Sequence, residues 1–300
     1  MNYIVIPAYQ PDNKLIKLIE KIHEKSDFRI LVIDDGSSSK CQNIFDKAEQ
    51  YATVLRHQVN QGKGQALKTA FTYIQQQNSY GTVVTADADG QHKIWDIFRT
   101  ANKASENPNK LILGVRAFTG KVPLRSRFGN SLTKALFKIQ TGVEVADTQT
   151  GLRAFTTNLI PFMLKIEGQR YEYEMNMLLE ATKEYQILEV PIETVYINDN
   201  EGSHFRPIRD GLMIYKNIFK FALSSLSSFV VDYLVYAIAI LFLPTAPTNF
   251  RIFLANGLAR VTSSIFNYST NKKLVFKNDD SLVKTGMGYF GLAVGLFVLD

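Results

Sequence analysis

Two carboxylates one residue apart, Asp87 and Asp89, lie in the stretch TVVTADADGQHKIWD (Thr82–Asp96) and are followed by Gly90, Gln91 and His92. Paired acids at this spacing suit a hard cation, because carboxylate oxygens are the preferred donors for Mg²⁺, Mn²⁺ and Ca²⁺. An EF-hand loop starting at Thr85 would use Asp87, Asp89 and Gly90 at its third, fifth and sixth positions. That match fails at both ends, since its first residue is a threonine and its twelfth, Asp96, is shorter than the closing glutamate. The β-branched run ahead of the acids, Thr82-Val83-Val84-Thr85, reads as a buried strand, whereas an EF-hand needs an entering helix. Residues two apart in extended chain face the same side, so the pair can converge on one cation and leave positions open for phosphate oxygens. A solvated acidic turn is the other reading of an isolated Asp-x-Asp, and the surrounding residues must decide.

The elements that would position the pair alternate along the first 120 residues. Tyr3–Ile6, Arg29–Ile33, Thr53–Leu55, Thr82–Thr85 and Lys110–Leu113 read as strands, and Leu15–Lys25, Gln42–Tyr51, Gln65–Gln75 and Ile94–Ala104 have helical spacing. Such a series predicts an α/β fold with a mainly parallel sheet and a ligand site at the carboxyl ends of its strands. Polar clusters fall at those ends: Pro7-Ala8-Tyr9, Asp34-Asp35-Gly36-Ser37, Asn60-Gln61-Gly62-Lys63-Gly64 and Asp87-Ala88-Asp89. Each alone is weak. Gly62-Lys63-Gly64 matches neither a P-loop nor a dinucleotide fingerprint, and is either a flexible turn or a phosphate contact at a helix N-terminus. Asp34-Asp35-Gly36-Ser37 alone would be an ordinary turn and cap. Together the clusters describe a nucleotide pocket, with acids accepting from base or ribose and a cation across the diphosphate.

Lys and Arg number 34 against 28 Asp and Glu, a net charge of +6, which favours an anionic partner such as nucleotide phosphate or acidic lipid. Nothing beyond this charge supports nucleic-acid binding. The single cysteine, Cys41, excludes an internal disulfide framework and a cysteine-cluster metal site. Met1–Pro7 lacks a basic start and a long apolar run, so it reads as a first strand and not a signal peptide.

The composition changes after about Lys220. Phe221–Leu243 carries one charge, Asp232, and is long enough to cross a hydrocarbon core of about 30 Å. A second run, Ile252–Ser269, contains Arg260, and a third begins at Thr285 and is still apolar at Asp300, as if the chain ended inside a span. Lys272, Lys273, Lys277 and Lys284 lie between the second and third runs, against Arg251 alone between the first and second. The positive-inside tendency then makes the lysine loop and residues 1–220 cytoplasmic in a multi-pass cell-membrane protein. A hydrophobic hairpin packed on a soluble core is the competing reading. Asp232 and Arg260 are costly in lipid and should face each other or neighbouring helices, as a structural ion pair or a substrate path.

The ordered set Pro7-Ala8-Tyr9, Asp34-Asp35-Gly36-Ser37, Asn60-Gln61-Gly62-Lys63-Gly64 and Asp87-Ala88-Asp89-Gly90-Gln91-His92 resembles glycosyltransferase family two. The similarity is to its branch of dolichyl-phosphate mannose synthases and bacterial polyprenyl-phosphate glycosyltransferases. Gly114-Val115-Arg116, Arg125–Asn130, Asp147–Arg153 and Ser203–Arg206 resemble that branch's later motifs. Asn256, Arg260, Phe266-Asn267-Tyr268 and Asn271-Lys272 resemble GtrA-like membrane domains. Gln10-Pro11 departs from the Asn-Glu that often follows the tyrosine. The resemblance implies a GT-A, Rossmann-like domain over 1–206 and an α-helical GtrA-like transmembrane domain over 221–300; between them, 207–220 sets Ile208, Leu212, Tyr215 and Phe219 at helical spacing beside Arg209, Lys216 and Lys220, which suits an interfacial amphipathic helix. It further implies that Pro7, Ala8, Tyr9, Asp34, Asp35, Lys63, Asp87 and Ala88 bind a nucleotide sugar, and that Asp87, Asp89 and Gln91 hold Mg²⁺ or Mn²⁺. The implied acceptor is a polyprenyl phosphate, with Arg116, Arg125, Arg127, Arg153 and Arg206 as candidates to grip phosphate and Asp147 to orient the acceptor or an arginine. A salt bridge between Asp147 and Arg153 is the plainer reading of that acid. Homo-oligomers through the transmembrane helices are compatible with the pattern.

Two rivals remain at this level. A flippase or anchor for lipid-linked sugars with an inactive head is opposed by the intact Asp-x-Asp and Lys63. A processive polysaccharide synthase is opposed by Gln149–Arg153, which lacks the tryptophan of that family's Gln-x-x-Arg-Trp motif.

Overall fold

The computed structural model describes residues 1–116, 134, 137–138, 141–193, 207–242 and 247–271. The chain divides into two compact units, Met1–Asp210 and Gly211–Asp300.

In the first unit, strands β1 (Tyr3–Ala8), β2 (Arg29–Asp34), β3 (Thr53–Arg56), β4 (Thr82–Thr85), β5 (Lys110–Arg116), β6 (Arg153–Thr156) and β7 (Gln186–Ile192) form one sheet in the order β3-β2-β1-β4-β6-β5-β7. Helices α1 (Asn13–Lys25), α2 (Gln42–Ala48), α3 (Lys63–Gln76), α4 (Ile94–Glu106), α5 (Ile160–Lys165) and α6 (Glu172–Glu184) accompany it. The central strands β1 and β4 are buried at every position but Pro7, with Ile4, Val5, Ile6, Val83 and Val84 fully inaccessible. That is why they read as continuous apolar runs and not as alternating ones. Helix α1 buries Leu15, Ile16, Leu18, Ile19 and Ile22, one apolar face at helical spacing. It starts at Asp12, whose carboxylate accepts the Lys14 amide at 2.8 Å.

The expectation of a mainly parallel sheet is met, with one exception of consequence. β6 runs antiparallel to both β4 and β5, so Thr85 pairs with Arg153 and Leu113 also pairs with Arg153. The amino end of β6 therefore lies at the same sheet edge as the carboxyl ends of β1, β2, β4 and β5. Neither β6 nor β7 is among the strands expected from sequence; in β6, RAFT is only four residues and buried throughout.

The helix α7 (Pro207–Phe242), all but its first four residues in the second unit, is one helix of 36 residues. It crosses residue 220 without a break, consistent with the lack of Gly or Pro from Leu212 to Phe242. The expected interfacial helix and first span are thus continuous. Within α7, Leu223–Phe242 is long and apolar enough to cross a membrane, and only 11% of it is buried, unlike the core helix of a soluble protein. The second expected span lies in α8 (Thr248–Thr270); the third lies outside the described residues. The two helices meet through Ser263 Oγ, which donates to Asp232 Oδ1 at 2.8 Å, and through Ser224 and Asn267 at 3.4 Å. Asp232 therefore faces a neighbouring helix but not Arg260, which is exposed on α8.

Candidate active site

The acidic turn after β2 organises the loop after β3. Asp35 is buried, and its carboxylate accepts the Gln61 amide at 2.9 Å and the Gly62 amide at 2.8 Å. His57 Nδ1 lies 2.8 Å from the same Oδ1, and its Nε2 lies 2.9 Å from Thr69 Oγ1 on α3. Asp35 is thus occupied with holding the lead-in to Lys63. Asp34 accepts the Ser37 amide at 2.9 Å and has Arg56 at 3.8 Å. Ala8 closes this corner by accepting the Asp35 amide at 2.9 Å, between Pro7 in β1 and the half-exposed Tyr9.

The glycines around Lys63 are dictated by close approach. Gly62 has φ +102°, and a Cβ there would stand 2.6 Å from the Gln169 carbonyl oxygen. A Cβ on Gly64 would stand 2.4 Å from Tyr173 Cβ. The segment before α6 is therefore packed directly on the start of α3, joined by the Gln65 amide donating to the Gln169 carbonyl at 2.8 Å.

Lys63 Nζ donates to Asp87 Oδ1 at 2.7 Å and to Glu174 Oε2 at 2.9 Å, and His92 Nε2 lies 3.3 Å from Asp87 Oδ2. Burial works against the charges of Lys63, Asp87 and Asp89. For Lys63 it is outweighed by Asp87 and Glu174, which hold the ammonium well above its ordinary pKa. For Asp87 it is outweighed by Lys63 and His92, which hold the carboxyl well below the usual range. Asp89 differs: burial and then the Asp87 charge push its carboxyl up, although the Gln91 amide donates to Oδ1 at 3.0 Å. Ala88 lies between the two acids, so the structure brings Asp87, Ala88, Asp89, Gln91 and Lys63 to one edge.

Gly151 is part of the same site. A Cβ there would stand 2.3 Å from Asp87 Oδ2 and 2.6 Å from Oδ1. The loop before β6 is held this close by Thr85 Oγ1, which donates to the Gly151 carbonyl at 2.8 Å. Gly151→Ala should therefore turn the Asp87 carboxylate off Lys63 and His92, lowering turnover by at least about tenfold. Thermal unfolding should move little, since a side-chain carboxylate can rotate away where backbone cannot. Unchanged turnover in Gly151→Ala would show that the orientation of Asp87 is immaterial.

The arginines separate. Arg116, at the end of β5, grips Asp147 on two edges, Nε to Oδ2 at 2.6 Å and Nη2 to Oδ1 at 3.0 Å. Asp147 is fully buried and also accepts the Gln149 amide at 3.0 Å. The salt bridge expected between Asp147 and Arg153 is thus made by Arg116 instead. Arg153 is buried under α6, where Nε donates to the Thr150 carbonyl at 3.0 Å and Nη1 to the Glu174 carbonyl. Burial lowers its pKa despite nearby Glu174 and Asp147. Arg125, Arg127 and Arg206 lie outside the described residues. Because Asp147 is inaccessible while the Arg116 side chain is 23% exposed and can rehydrate, Asp147→Ala should cost about 3 kcal/mol, the lower end for breaking a buried pair. Urea unfolding checks this; an unmoved midpoint would mean the pair contributes nothing.

Glu174, His57 and Thr69 were not among the residues singled out from sequence. Glu172 and Glu174 look there like ordinary acids in a first helical turn, and a lone histidine after a strand carries no signal.

The donor set fits a hard divalent cation. Among the described residues no group of three His, Cys, Asp or Glu side chains is placed to hold a metal. Mg²⁺ and Mn²⁺ are commonly held by one or two carboxylates, with substrate phosphates and water completing the shell. Asp87 and Asp89 supply those two, and their mutual repulsion is what such a cation relieves.

Residues 3–162, more than half of the chain, match the family model Glycosyl transferase family 2, and residues 213–300 match GtrA/DPMS, transmembrane domain. The UDP-N-acetylglucosamine--dolichyl-phosphate N-acetylglucosaminyltransferase of Methanococcus voltae is 26% identical over 215 residues, 65% of this chain and 85% of that enzyme. The dolichyl-phosphate beta-glucosyltransferase of Saccharomyces cerevisiae is 25% identical over 252 residues, 72% of each chain. Glucosyl-3-phosphoglycerate synthase from Mycobacterium tuberculosis, solved with Mn²⁺, UDP and phosphoglyceric acid, superposes with a TM-score of 0.54. It is 16% identical and aligned over 73% of this chain and 76% of its own, which shows a shared GT-A-like fold. The chain belongs to glycosyl transferase family 2 and carries a GtrA/DPMS transmembrane domain.

Proposed function

We propose that this glycosyltransferase moves a hexose from a nucleotide sugar, of the UDP-glucose or GDP-mannose type, to a polyprenyl phosphate such as undecaprenyl phosphate, for cell-envelope glycans. The observation that carries the reading is the cluster of Asp87, Asp89 and Lys63 at the start of α3, a cation and diphosphate site in miniature. Dolichyl-phosphate acceptors in the names of two relatives, and the membrane domain, support a lipid phosphate as acceptor. Mg²⁺ or Mn²⁺ held by Asp87, Asp89 and Gln91 would neutralise charge on the departing nucleoside diphosphate.

The chain's own residues do the remaining work. Asp35 and His57 fix the loop that delivers Lys63, and Lys63 with the amides opening α3 offers positive charge to the diphosphate. Asp34 accepts from base or ribose beside Pro7, Ala8 and Tyr9. Arg153 secures the carbonyl of Glu174, and Arg116 is set by Asp147. Arg125, Arg127 and Arg206 are assigned to the acceptor phosphate. A phosphate monoester with second pKa of about 6 is already mostly a dianion at neutral pH. One of its oxygens attacks the anomeric carbon, the bond from that carbon to the diphosphate breaks, and configuration inverts without a protein base. Residues 1–206 face the cytoplasm in this reading, 207–220 carry the unbroken helix from the interface towards the membrane, and 221–300 span in several passes. Lys272, Lys273, Lys277 and Lys284 support that orientation.

The test incubates membranes holding the protein with a panel of radiolabelled nucleotide sugars and undecaprenyl phosphate. Label should enter the lipid fraction for one sugar only when divalent cation is present. Label entering no lipid with any sugar, or entering equally in EDTA, would sink the proposal.

A further inference from the structure

Lys63 stands where a helix least favours a cation. It is the first residue of α3, at the positive end of the helix dipole, and two carboxylates compensate for that position. One of them, Asp87, belongs to the acid pair; the other, Glu174, comes from the opening turn of α6. Glu174 is held in place by its neighbours: its carbonyl accepts from Arg153, and the adjacent Tyr173 hydroxyl donates to the Met163 carbonyl at 2.7 Å. Its side chain is only 12% exposed. With Lys63 on Oδ1 and His92 beside Oδ2, both oxygens of Asp87 already face positive or donating groups. An ammonium and a divalent cation on one carboxylate oxygen would repel each other strongly in this partly buried setting.

We propose that Lys63 is a built-in counter-cation of Asp87, displaced when a divalent cation arrives with a nucleoside diphosphate, and that Glu174 is the positioning residue that keeps the displaced lysine beside the diphosphate. The proposal rests on reading Asp87 and Asp89 as metal ligands. Its consequence is coupling: bare cation must compete with Lys63, whereas cation with diphosphate gives the lysine a new anionic partner, so each promotes binding of the other. Without Glu174 the ammonium would depend on Asp87 alone and compete harder.

The test is Mn²⁺ binding to the full chain in detergent, followed by the free-ion electron paramagnetic resonance signal, without nucleotide and with saturating UDP or GDP, each read against the same solution without protein because the diphosphate itself takes up Mn²⁺. Wild type should bind Mn²⁺ about tenfold more tightly with the matching diphosphate than without it. Lys63→Gln should tighten binding of Mn²⁺ alone by about tenfold and abolish that gain, while Lys63→Arg, which keeps the charge, should leave Mn²⁺ alone as weak as in wild type. Glu174→Gln should weaken Mn²⁺ alone severalfold. A merely structural role would not move these affinities in opposite directions. If wild type binds Mn²⁺ but Lys63→Gln binds it no more tightly, the displacement is wrong and the metal reading stands. Tighter Mn²⁺ binding in Glu174→Gln would overturn the role given to Glu174. Failure of wild type to bind Mn²⁺ even with UDP and GDP would remove the metal reading, and this inference with it.

Discussion

Asp89→Asn should lower sugar transfer by on the order of a thousandfold, the several kcal/mol that a catalytic cation supplies to a leaving group. Stability should not fall with it. The Asp89 carboxyl is pushed up by burial and by the charge of Asp87, so a neutral amide relieves repulsion. The asparagine oxygen can still accept the Gln91 amide that now bonds Oδ1 at 3.0 Å. The paired measurement is turnover with saturating Mg²⁺ or Mn²⁺ alongside thermal unfolding. Near-normal turnover would remove Asp89 from the metal site, and a large drop in the unfolding midpoint would recast it as a structural residue.

Gly64→Ala carries the other large effect, this time on the fold. Alanine normally improves a helix interior by about 0.5–1 kcal/mol over glycine, so propensity alone predicts stabilisation. Here the new Cβ would stand 2.4 Å from Tyr173 Cβ, 2.9 Å from the Arg170 carbonyl oxygen and 2.9 Å from the Gln169 carbonyl carbon. These are backbone atoms or lie next to backbone, and none can rotate aside. The clash should win, with a net loss of about 3 kcal/mol and a weakened Lys63 site as α3 and α6 are forced apart. Equilibrium urea unfolding decides the sign; a stabilised Gly64→Ala would mean the two helices do not abut as described.

The parts of the fold legible from sequence were those with local causes. β4 was read over its observed span, Thr82–Thr85, because a β-branched run ends in acids that cannot continue a buried strand. Helix α1 was read two residues late, starting at Leu15, because the Asp12 cap that sets its start precedes the apolar pattern. β6 escaped because direction within a sheet is a property of partners, and four buried residues have no alternation to betray them. The site divides in the same way. Asp87, Asp89 and Lys63 declare themselves by type and spacing, whereas Glu174 matters only because packing of α6 on α3 carries it to Lys63. Sequence proximity pairs Asp147 with Arg153, the nearest arginine along the chain. Arg153, however, is drawn under α6 by two carbonyls, leaving the carboxylate to Arg116 at the end of the neighbouring strand.

The reversed strand also bears on how the chain is made. Strands β1 to β4 are complete by Thr85, yet the partner on the open side of β4 is β6, which begins only at Arg153. During synthesis the fully buried pair Val83 and Val84 must wait for those residues with one edge bare, in the middle of what becomes the finished sheet. A nascent chain stalled before residue 151 would therefore offer an apolar sticky edge to its neighbours on the ribosome, and would also lack Gly151, the glycine against which Asp87 rests. Fragments ending there should aggregate, and extension to Thr156 closes that edge only to leave the buried β5 waiting for β7 at Gln186–Ile192.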